Sequence, residues 1–335
     1  MNVRKIFILI ALMLVAALSL ASVCLAQSSP WVQKANMPTK RYYHASSVVN
    51  GIIYVFGGWQ PGVVSAVEAF EPATNTWTKK ADMPTARYGL SACEVNGIIY
   101  VMGGWGQSNS LLSTVEAYEP ATNTWTKKAD MPIYNSLFGA SVVNGIIYVF
   151  GGWTGSPGYN VFAYNPATDT WTKKSNMPTA RGILSTSVLN GIIYAVAGQI
   201  NSGGGTTSVV EAYDPCTDTW TKKKDIISNV SDFATCLLGN LIYSFEGWAT
   251  SCSIQVYDPG TDTWRVLSDK YADRFGHTAN AVNGKVYVMG GSNSSGADSL
   301  NTVKEYDPFR APKRPSLDTD AKKLATLWGK IRSTN

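Results

Sequence analysis

The stretch Gly51–Trp59, with the sequence GIIYVFGGW, decides the fold because it recurs along the chain. Each copy has two apolar residues and a tyrosine that lead to a glycine-bearing pair. The further copies are Gly97–Trp105, Gly145–Trp153, Gly191–Gln199, Asn240–Trp248 and Gly284–Ser292. Six copies at spacings of 44 to 49 residues predict a repeat architecture rather than two unrelated domains.

An Asn-Gly dipeptide precedes the recurring strand in five of the six copies. These dipeptides are Asn50-Gly51, Asn96-Gly97, Asn144-Gly145, Asn190-Gly191 and Asn283-Gly284, and the remaining copy has Gly239-Asn240. A two-residue hairpin turn needs positive φ at both central residues, which Asn and Gly tolerate. We therefore expect a tight hairpin between a short apolar strand and the recurring strand.

Each repeat continues with two further strand signals. The third strand ends in an aromatic residue, namely Phe70, Tyr118, Tyr164, Tyr213, Tyr257 or Tyr306. A turn rich in Pro, Asp, Asn and Thr follows, and a tryptophan opens the fourth strand at Trp77, Trp125, Trp171, Trp220 and Trp264. Every repeat is thus a four-stranded antiparallel unit that cannot bury both of its faces alone.

The last repeat lacks its fourth strand, because the pattern stops after Tyr306-Asp307-Pro308. The missing piece stands at the other end of the chain, where Trp31–Pro38 matches Trp77–Pro84. A ring in which this N-terminal strand completes the last unit leaves only short, protected strand edges. The predicted fold is therefore an all-β, six-bladed β-propeller closed by the N-terminal strand.

The pattern resembles the Kelch repeat over nearly all of residues 31 to 308. The glycine pair, the Tyr-Asp/Glu-Pro turn and the tryptophan at fixed offsets carry this resemblance, and Kelch proteins are β-propellers. The chain departs from the pattern at Ala197-Gly198 and Glu246-Gly247, where the first glycine is replaced. These replacements concern the local backbone of blades four and five.

Residues 1 to 26 have the composition of a secretory signal peptide. The basic start, the apolar run and the small-residue end are Arg4-Lys5, Ile6–Leu20 and the segment that leads to Ala26. We expect cleavage after Ala26 and a secreted or periplasmic protein with no membrane contact after cleavage. A lipoprotein modified at Cys24 and an uncleaved anchor are the alternatives.

The predicted domains are the signal peptide 1–26, the propeller 27–309, and a basic linker with a short helical tail over 310–335. The formal charge of +5, or +3 without Arg4 and Lys5, gives no support to a nucleic-acid partner. The cysteines left after cleavage, with no Cys-x-x-Cys spacing, are Cys93, Cys216, Cys236 and Cys252. Cys93 and Cys236 lie in strand-like runs, where we expect small buried side chains.

Loops on one face of the ring vary in length, and recognition commonly uses such loops. Two sets of residues converge there. Ten residues after each tryptophan stands the register position, occupied by Arg41, Arg87, Asn135, Arg181, Val230 and Arg274. Directly after the glycine pairs stand Trp59, Trp105, Trp153 and Trp248. Guanidinium groups suit anionic ligands, and indoles stack on sugars or apolar side chains. Ties to loop carbonyls and wedges between blades are the structural alternatives.

His44 and His277 each follow a register arginine by three residues, and no third metal ligand is evident from the spacing, so no metal or cofactor is predicted. Glu246 stands where glycine is expected at the channel mouth. The leading hypothesis is an exported, non-enzymatic scaffold for a protein or glycan partner. The alternative, which the resemblance to periplasmic Kelch enzymes of the N-acetylneuraminate epimerase type suggests, is a sugar-acid epimerase or mutarotase that uses Glu246, Arg274 and His277.

Overall fold

The computed structural model describes residues 29–245, 247, 253–267, 274–293 and 298–310. The chain divides into two compact units, one over Gln33–Tyr306 and one that combines Met1–Val32 with Asp307–Asn335. In the described part of the second unit, the Asp307 amide donates a hydrogen bond to the Pro30 carbonyl at 2.9 Å. Glu246 and Trp248, the predicted signal peptide and the predicted helical tail beyond residue 310 lie outside the described residues. The domain boundaries stay predictions.

The regular secondary structure of the described residues is almost entirely β-strand. The first ten strands are β1 (Trp31–Lys34), β2 (Ala45–Val49), β3 (Ile52–Phe56), β4 (Trp59–Gln60), β5 (Gly62–Val63), β6 (Val67–Glu71), β7 (Thr76–Lys79), β8 (Ser91–Val95), β9 (Ile98–Met102) and β10 (Val115–Glu119). The next nine are β11 (Thr124–Lys128), β12 (Gly139–Val143), β13 (Ile146–Phe150), β14 (Val161–Asn165), β15 (Thr170–Lys174), β16 (Ser185–Leu189), β17 (Ile192–Gln199), β18 (Thr206–Asp214) and β19 (Thr219–Lys223). The last nine are β20 (Ala234–Leu238), β21 (Leu241–Phe245), β22 (Ile254–Asp258), β23 (Thr263–Leu267), β24 (Arg274–Phe275), β25 (Thr278–Val282), β26 (Lys285–Met289), β27 (Ser292–Asn293) and β28 (Val303–Tyr306). Among the described residues the one helical element is the 3-10 turn Gln107–Asn109.

Six four-stranded antiparallel sheets form the blades of the propeller. Blades one to six have the strand orders β2-β3-β6-β7, β8-β9-β10-β11, β12-β13-β14-β15, β16-β17-β18-β19, β20-β21-β22-β23 and β25-β26-β28-β1. The pairs β4-β5 and β24-β27 add two small ribbons in the loops. The predicted fold is confirmed, including the use of the N-terminal strand in blade six.

The predicted Asn-Gly hairpins set the register of five of the six blades. Asn50 has φ of 51° and Gly51 has φ of 78°, and the residues on either side, Val49 and Ile52, are direct partners. Two positive φ values in a two-residue loop match the twist of antiparallel strands. The turn therefore fixes which face of each strand meets the neighbouring blade.

The hydrophobic core is divided into layers, each between two adjacent blades. One layer joins Phe56 and Val67 of blade one to Val101 and Tyr118 of blade two, and all four side chains are buried. The rings of Phe56 and Tyr118 meet edge-on, with centroids 6.0 Å apart. Because blade one buries both of its faces, its second strand, β3, is apolar without interruption rather than alternating.

In blades one to five, a polar clasp ties the fourth strand to the blade before it. The Trp125 indole N–H donates to the Ala81 carbonyl at 3.1 Å, while the Ala81 amide donates to Asn123 Oδ1 at 2.9 Å. The same Asn123 oxygen accepts the Tyr118 hydroxyl at 2.7 Å. The matching Trp indoles are Trp77, Trp171, Trp220 and Trp264. The aromatic and tryptophan positions of the repeat are thus explained by contacts between blades.

Contacts within the Gln33–Tyr306 unit close the ring. Lys34 Nζ lies 3.3 Å from a carboxylate oxygen of Glu305. The Met37 amide donates to the Asn301 carbonyl at 2.8 Å, and the Asn301 side-chain amide donates to the Met37 carbonyl at 3.1 Å. These reciprocal bonds fasten the segment after β1 to blade six. Within the described ranges, no helix has the length and hydropathy to cross a membrane.

Candidate functional site

The loops that enter the first strand of a blade meet the segments that follow the glycine pairs, as the sequence predicts. Antiparallel bridges join Tyr42 to Trp59 and Tyr88 to Trp105. The same contact joins Ser136 to Trp153 and Gly182 to Gln199 in the next two blades. These segments make up one face of the ring, which we call the loop face.

Arg87 shows what the register arginines do. Its side chain is fully buried, and Nη1 donates to the carbonyl oxygens of Gly103 at 3.0 Å and Thr114 at 2.9 Å. Nη2 lies 2.8 Å from Glu116, whose other oxygen accepts the Thr85 hydroxyl at 2.7 Å. Gly103 and Thr114 lie on the two sides of the loop after β9. The guanidinium group therefore holds this loop closed.

Arg41 and Arg181 repeat this arrangement with Glu68 at 2.9 Å and Glu211 at 2.6 Å. Burial lowers the pKa of Arg181 to about 10, with Glu211 acting in the opposite direction, so the side chain stays charged near neutral pH. Arg274 is also buried and donates to the Gly290 carbonyl at 3.0 Å.

Asn135 places its side-chain amide on the equivalent carbonyl, that of Gly151, at 2.7 Å. The expectation that this set lines an open mouth is corrected, because Arg41, Arg87, Asn135, Arg181 and Arg274 are at most 2% exposed and tie loop carbonyls together. Val230, at the same position of blade five, is also fully buried.

A partner for these arginines is present in the sequence, although the register argument overlooked it. At the third-strand position that pairs with these arginines, a glutamate stands in blades one, two and four, the blades whose loops have both an arginine and a threonine. Where the register residue is Asn135, the equivalent third-strand residue is Phe162. Where it is Val230, the equivalent is Gln255, whose side-chain oxygen accepts the Ile227 amide at 3.0 Å. Blades three and five thus lack both members of the charge pair, whereas blade six keeps Arg274 and has Lys304 at the glutamate position.

Three aromatic side chains form a continuous arc on the loop face. Trp59 and Tyr88 meet edge-on with centroids 5.0 Å apart, and Tyr88 stacks on Trp105 at 6.3 Å. All three are half-buried, so part of each ring faces solvent. We call Trp59, Tyr88 and Trp105 the aromatic arc. Trp153 is also half-buried at the corresponding place in blade three.

A ring of six backbone segments surrounds the mouth of the central channel, two residues after each register position. We call these residues the mouth ring: Tyr43, Gly89, Leu137, Ile183, Asp232 and Gly276. All six have φ between 50° and 64°. Five of their amides donate to a carbonyl of the preceding mouth-ring residue, at 2.7 to 3.0 Å. This belt of bonds stabilises left-handed conformations that Leu and Ile rarely adopt.

Two cavities lie along the channel. The mouth cavity, of about 100 Å³, is lined by the mouth ring and by the residue after each member, including His44 and His277. A deeper cavity of about 200 Å³ is lined by the first strands of the blades. His44 Nε2 lies 3.2 Å from Thr278 Oγ1. Burial, and next the nearby Arg274, lower the pKa of His277 to about 3, so this imidazole is neutral at pH 7.

The loop face holds one interaction that the sequence did not suggest. Tyr43 donates its hydroxyl to Asp232, and the Ser231 hydroxyl donates to the other carboxylate oxygen at 2.7 Å. Burial raises the pKa of Asp232 above its ordinary value and raises that of Tyr43 well above 10. The two residues are 189 positions apart, and only the closed ring brings them together.

The other residues singled out from the sequence are the proposed catalytic residues and the cysteines. Arg274 and His277 are close enough for the guanidinium charge to affect the imidazole, but both are buried, and Glu246 lies outside the described residues. Cys93 and Cys236 are buried, as expected, and burial raises the pKa of the Cys93 thiol to about 12. Within the described ranges, no cluster of His, Cys, Asp and Glu is placed to hold a metal ion.

Comparison with known proteins agrees with this architecture. Residues 23–237 match the Attractin/LZTR1 β-propeller family, and residues 273–308 match the Kelch motif. A solved structure described as the structure of YjhT superposes with a TM-score of 0.70 at 16% sequence identity, over 81% of this chain and 95% of that chain. At this identity the likeness concerns the fold alone. No curated protein matches the sequence.

Proposed function

The chain belongs to the Attractin/LZTR1 β-propeller family, and from that premise we propose that it is an exported scaffold that binds a protein or glycan partner on its loop face. Kelch propellers commonly serve as interaction scaffolds. The opposite face of the ring carries Asn-Gly turns in five blades and a Gly-Asn turn in the other, whereas the loop face differs from blade to blade. Recognition is usually carried by such variable loops on a rigid frame.

The observation that carries this proposal is the aromatic arc. Each arc residue is partly exposed to solvent, and its ring contacts a neighbouring ring of the arc. Aromatic side chains offer large contact area and lose little conformational entropy, because they have only two side-chain torsions. Partly exposed indole and phenol rings suit stacking on a sugar ring or packing against an apolar side chain.

The buried arginines support the same proposal in a different way. The loops of blades one, two and four are fastened from beneath by a guanidinium group with carbonyl and carboxylate partners. Loops that are already ordered lose less entropy when a partner binds. The arginines therefore contribute to recognition by fixing the loops that bear the aromatic arc, without touching the partner.

The test uses the mature chain from Gln27 on a glycan array and on a phage-displayed peptide library. Trp59→Ala/Tyr88→Ala should weaken every ligand selected by the parent protein by at least about tenfold, the loss of one to two well-packed contacts. Tyr134→Ala/Tyr159→Ala is the matched control, because these two tyrosines are 56% and 49% exposed and lie outside the arc. Equal losses in both double variants would contradict the proposal.

Export is the second part of the proposal, and it rests on the composition of residues 1 to 26. Mass spectrometry of the protein recovered from a secreting host should find Gln27 as the first residue. A mass that includes the apolar run would contradict cleavage, and a mass increased by a lipid on Cys24 would favour the lipoprotein alternative. The sugar-acid epimerase or mutarotase stays a prediction, since two of its three expected residues are buried and the third is not described.

A further inference from the structure

The mouth of the channel offers hydrogen-bond acceptors rather than donors. Five of the six mouth-ring amides already donate to neighbouring carbonyls. The positive charges of Arg41, Arg87 and Arg181 lie beneath the surface, each beside a glutamate. Anion sites in proteins use free backbone amides or accessible guanidinium groups. This part of the loop face is therefore poorly suited to an anion.

Asp232 gives the mouth cavity a negative group. Among the described residues that line this cavity, it is the one carboxylate. The side chain is partly exposed, and its two oxygens accept one hydroxyl each, from Tyr43 and Ser231. A carboxylate oxygen has two lone pairs, so each keeps room for a further donor.

His44 supplies a second acceptor that the fold leaves unused. The side chain is 5% exposed and lines both cavities, and its Nδ1 atom makes no hydrogen bond with the described residues. Burial, then the charge of Arg41, lower the pKa of His44 well below 6.5, which keeps the ring neutral. With the proton on Nε2, toward Thr278, Nδ1 is an acceptor. A buried polar atom without a partner is uncommon in proteins.

Apolar side chains complete the walls of the cavity. Leu137 and Ile183 of the mouth ring are partly exposed, and Phe138 and Phe233 lie directly beneath the ring. A volume of about 100 Å³ accommodates a short alkyl chain. A ligand that matches this lining has an apolar stem and a compact group with several N–H donors.

We propose that the mouth cavity binds an alkylammonium group, whose N–H bonds are donated to Asp232 while its methylene groups pack on Leu137 and Ile183. The same chemistry is found in a free primary amine and in the lysine side chain of a protein partner. This site is distinct from the aromatic arc, and its test needs no identified partner. A negative result for the mouth cavity therefore does not affect the proposal that the aromatic arc binds a partner.

The experiment is a ligand-observed saturation-transfer NMR titration of the mature protein near pH 7. The probes are n-butylammonium and its neutral analogue n-butanol, together with Nα-acetyl-lysine methylamide and Nα-acetyl-norleucine methylamide. We expect each cation to bind at least tenfold more tightly than its neutral analogue. A lysine probe at least tenfold tighter than butylammonium would assign the site to a protein partner, and similar affinities would assign it to a free amine.

Asp232→Asn should weaken both cations at least tenfold, while its amide oxygen still accepts the Tyr43 hydroxyl. Asp130→Asn is the matched control, because it removes one negative charge from an exposed pair with Lys127 away from the mouth. Equal cation affinities in the two variants would overturn the proposal. If Asp232→Asn fails to fold, the comparison of charged and neutral probes on the parent protein decides, and equal binding of the two overturns the proposal.

Discussion

Tyr43 of blade one reaches across blade six to donate a hydrogen bond to Asp232 of blade five. The tyrosine ring passes over Gly276, where an added Cβ would lie 3.1 Å from Tyr43 Cδ1. The absence of a side chain at Gly276 thus permits an interaction that links three blades at the channel mouth. Residues at the start and near the end of the propeller meet here because the ring is closed.

Gly276→Ala should therefore destabilise the folded protein, although it adds only one methyl group. The new methyl group meets the Tyr43 ring, and the φ of 61° is itself unfavourable for alanine. We expect a loss of about 2 kcal/mol or more in the free energy of unfolding, measured by urea denaturation. Gly284→Ala is the control, since its φ of 76° carries a similar strain with no atom within 4 Å. Equal losses in the two variants would show that the contact with Tyr43 is unimportant.

Arg87→Ala should destabilise the protein by about 3 to 5 kcal/mol, because it leaves the buried Glu116 without its cation and two carbonyl groups without a donor. Blade three has no charge pair at the equivalent positions, where Asn135 and Phe162 stand instead. The double variant Arg87→Asn/Glu116→Phe should recover a large part of the loss in urea denaturation. An Arg87→Ala variant as stable as the parent protein would contradict the structural role of the register arginines.

Asn123→Ala removes an acceptor for both the Ala81 amide and the Tyr118 hydroxyl. We expect a loss of about 1 to 3 kcal/mol, the cost of leaving polar groups unpaired. Asn75→Ala should cost less, because Asn75 accepts the Ala35 amide but faces Phe70, which has no hydroxyl. Thermal or urea unfolding of the two variants shows which one loses more stability. A greater loss for Asn75→Ala would contradict the account of the clasp.

The elements that depend on local sequence were predictable. The Asn50-Gly51 turn fixes its hairpin through two positive φ values, and the spacing between copies fixes the number of blades. Ring closure also followed from the sequence, because Trp31–Pro38 is a fourth strand without the other three. Each of these conclusions needs only residues within one repeat, or the comparison of one repeat with another.

The direction of side chains on the loop face was not predictable in the same way. The register position of Arg87 was correct, but its burial depends on Glu116, 29 residues later on the third strand. Comparison of the arginine pattern with the glutamate pattern across the repeats would have revealed this pairing. The Tyr43–Asp232 bond has no equivalent in another blade, so repetition gives no signal for it, and only the closed ring reveals it.

His277 should make the stability of the protein fall in acid. Its pKa is about 3 in the folded chain and near 6.5 when unfolded, so between these values the unfolded state binds more protons. Stability from this residue is present above pH 6.5 and is lost as the pH falls toward 3. His277→Gln should flatten the dependence of the unfolding free energy on pH by about 1 kcal/mol per pH unit between pH 6 and pH 4. Parallel profiles for the variant and the parent would contradict the burial of a neutral imidazole.

Hydroxyl-radical footprinting with a captured partner shows whether the loop face binds through the aromatic arc. The mature chain is oxidised with and without the strongest ligand from the glycan array or the peptide library, and the oxidation of each aromatic residue is read by mass spectrometry. We expect Trp59, Tyr88 and Trp105 to become protected several-fold, while the exposed Tyr134 and Tyr159 react as before. Protection of Tyr134 and Tyr159 with an unchanged aromatic arc would contradict this expectation.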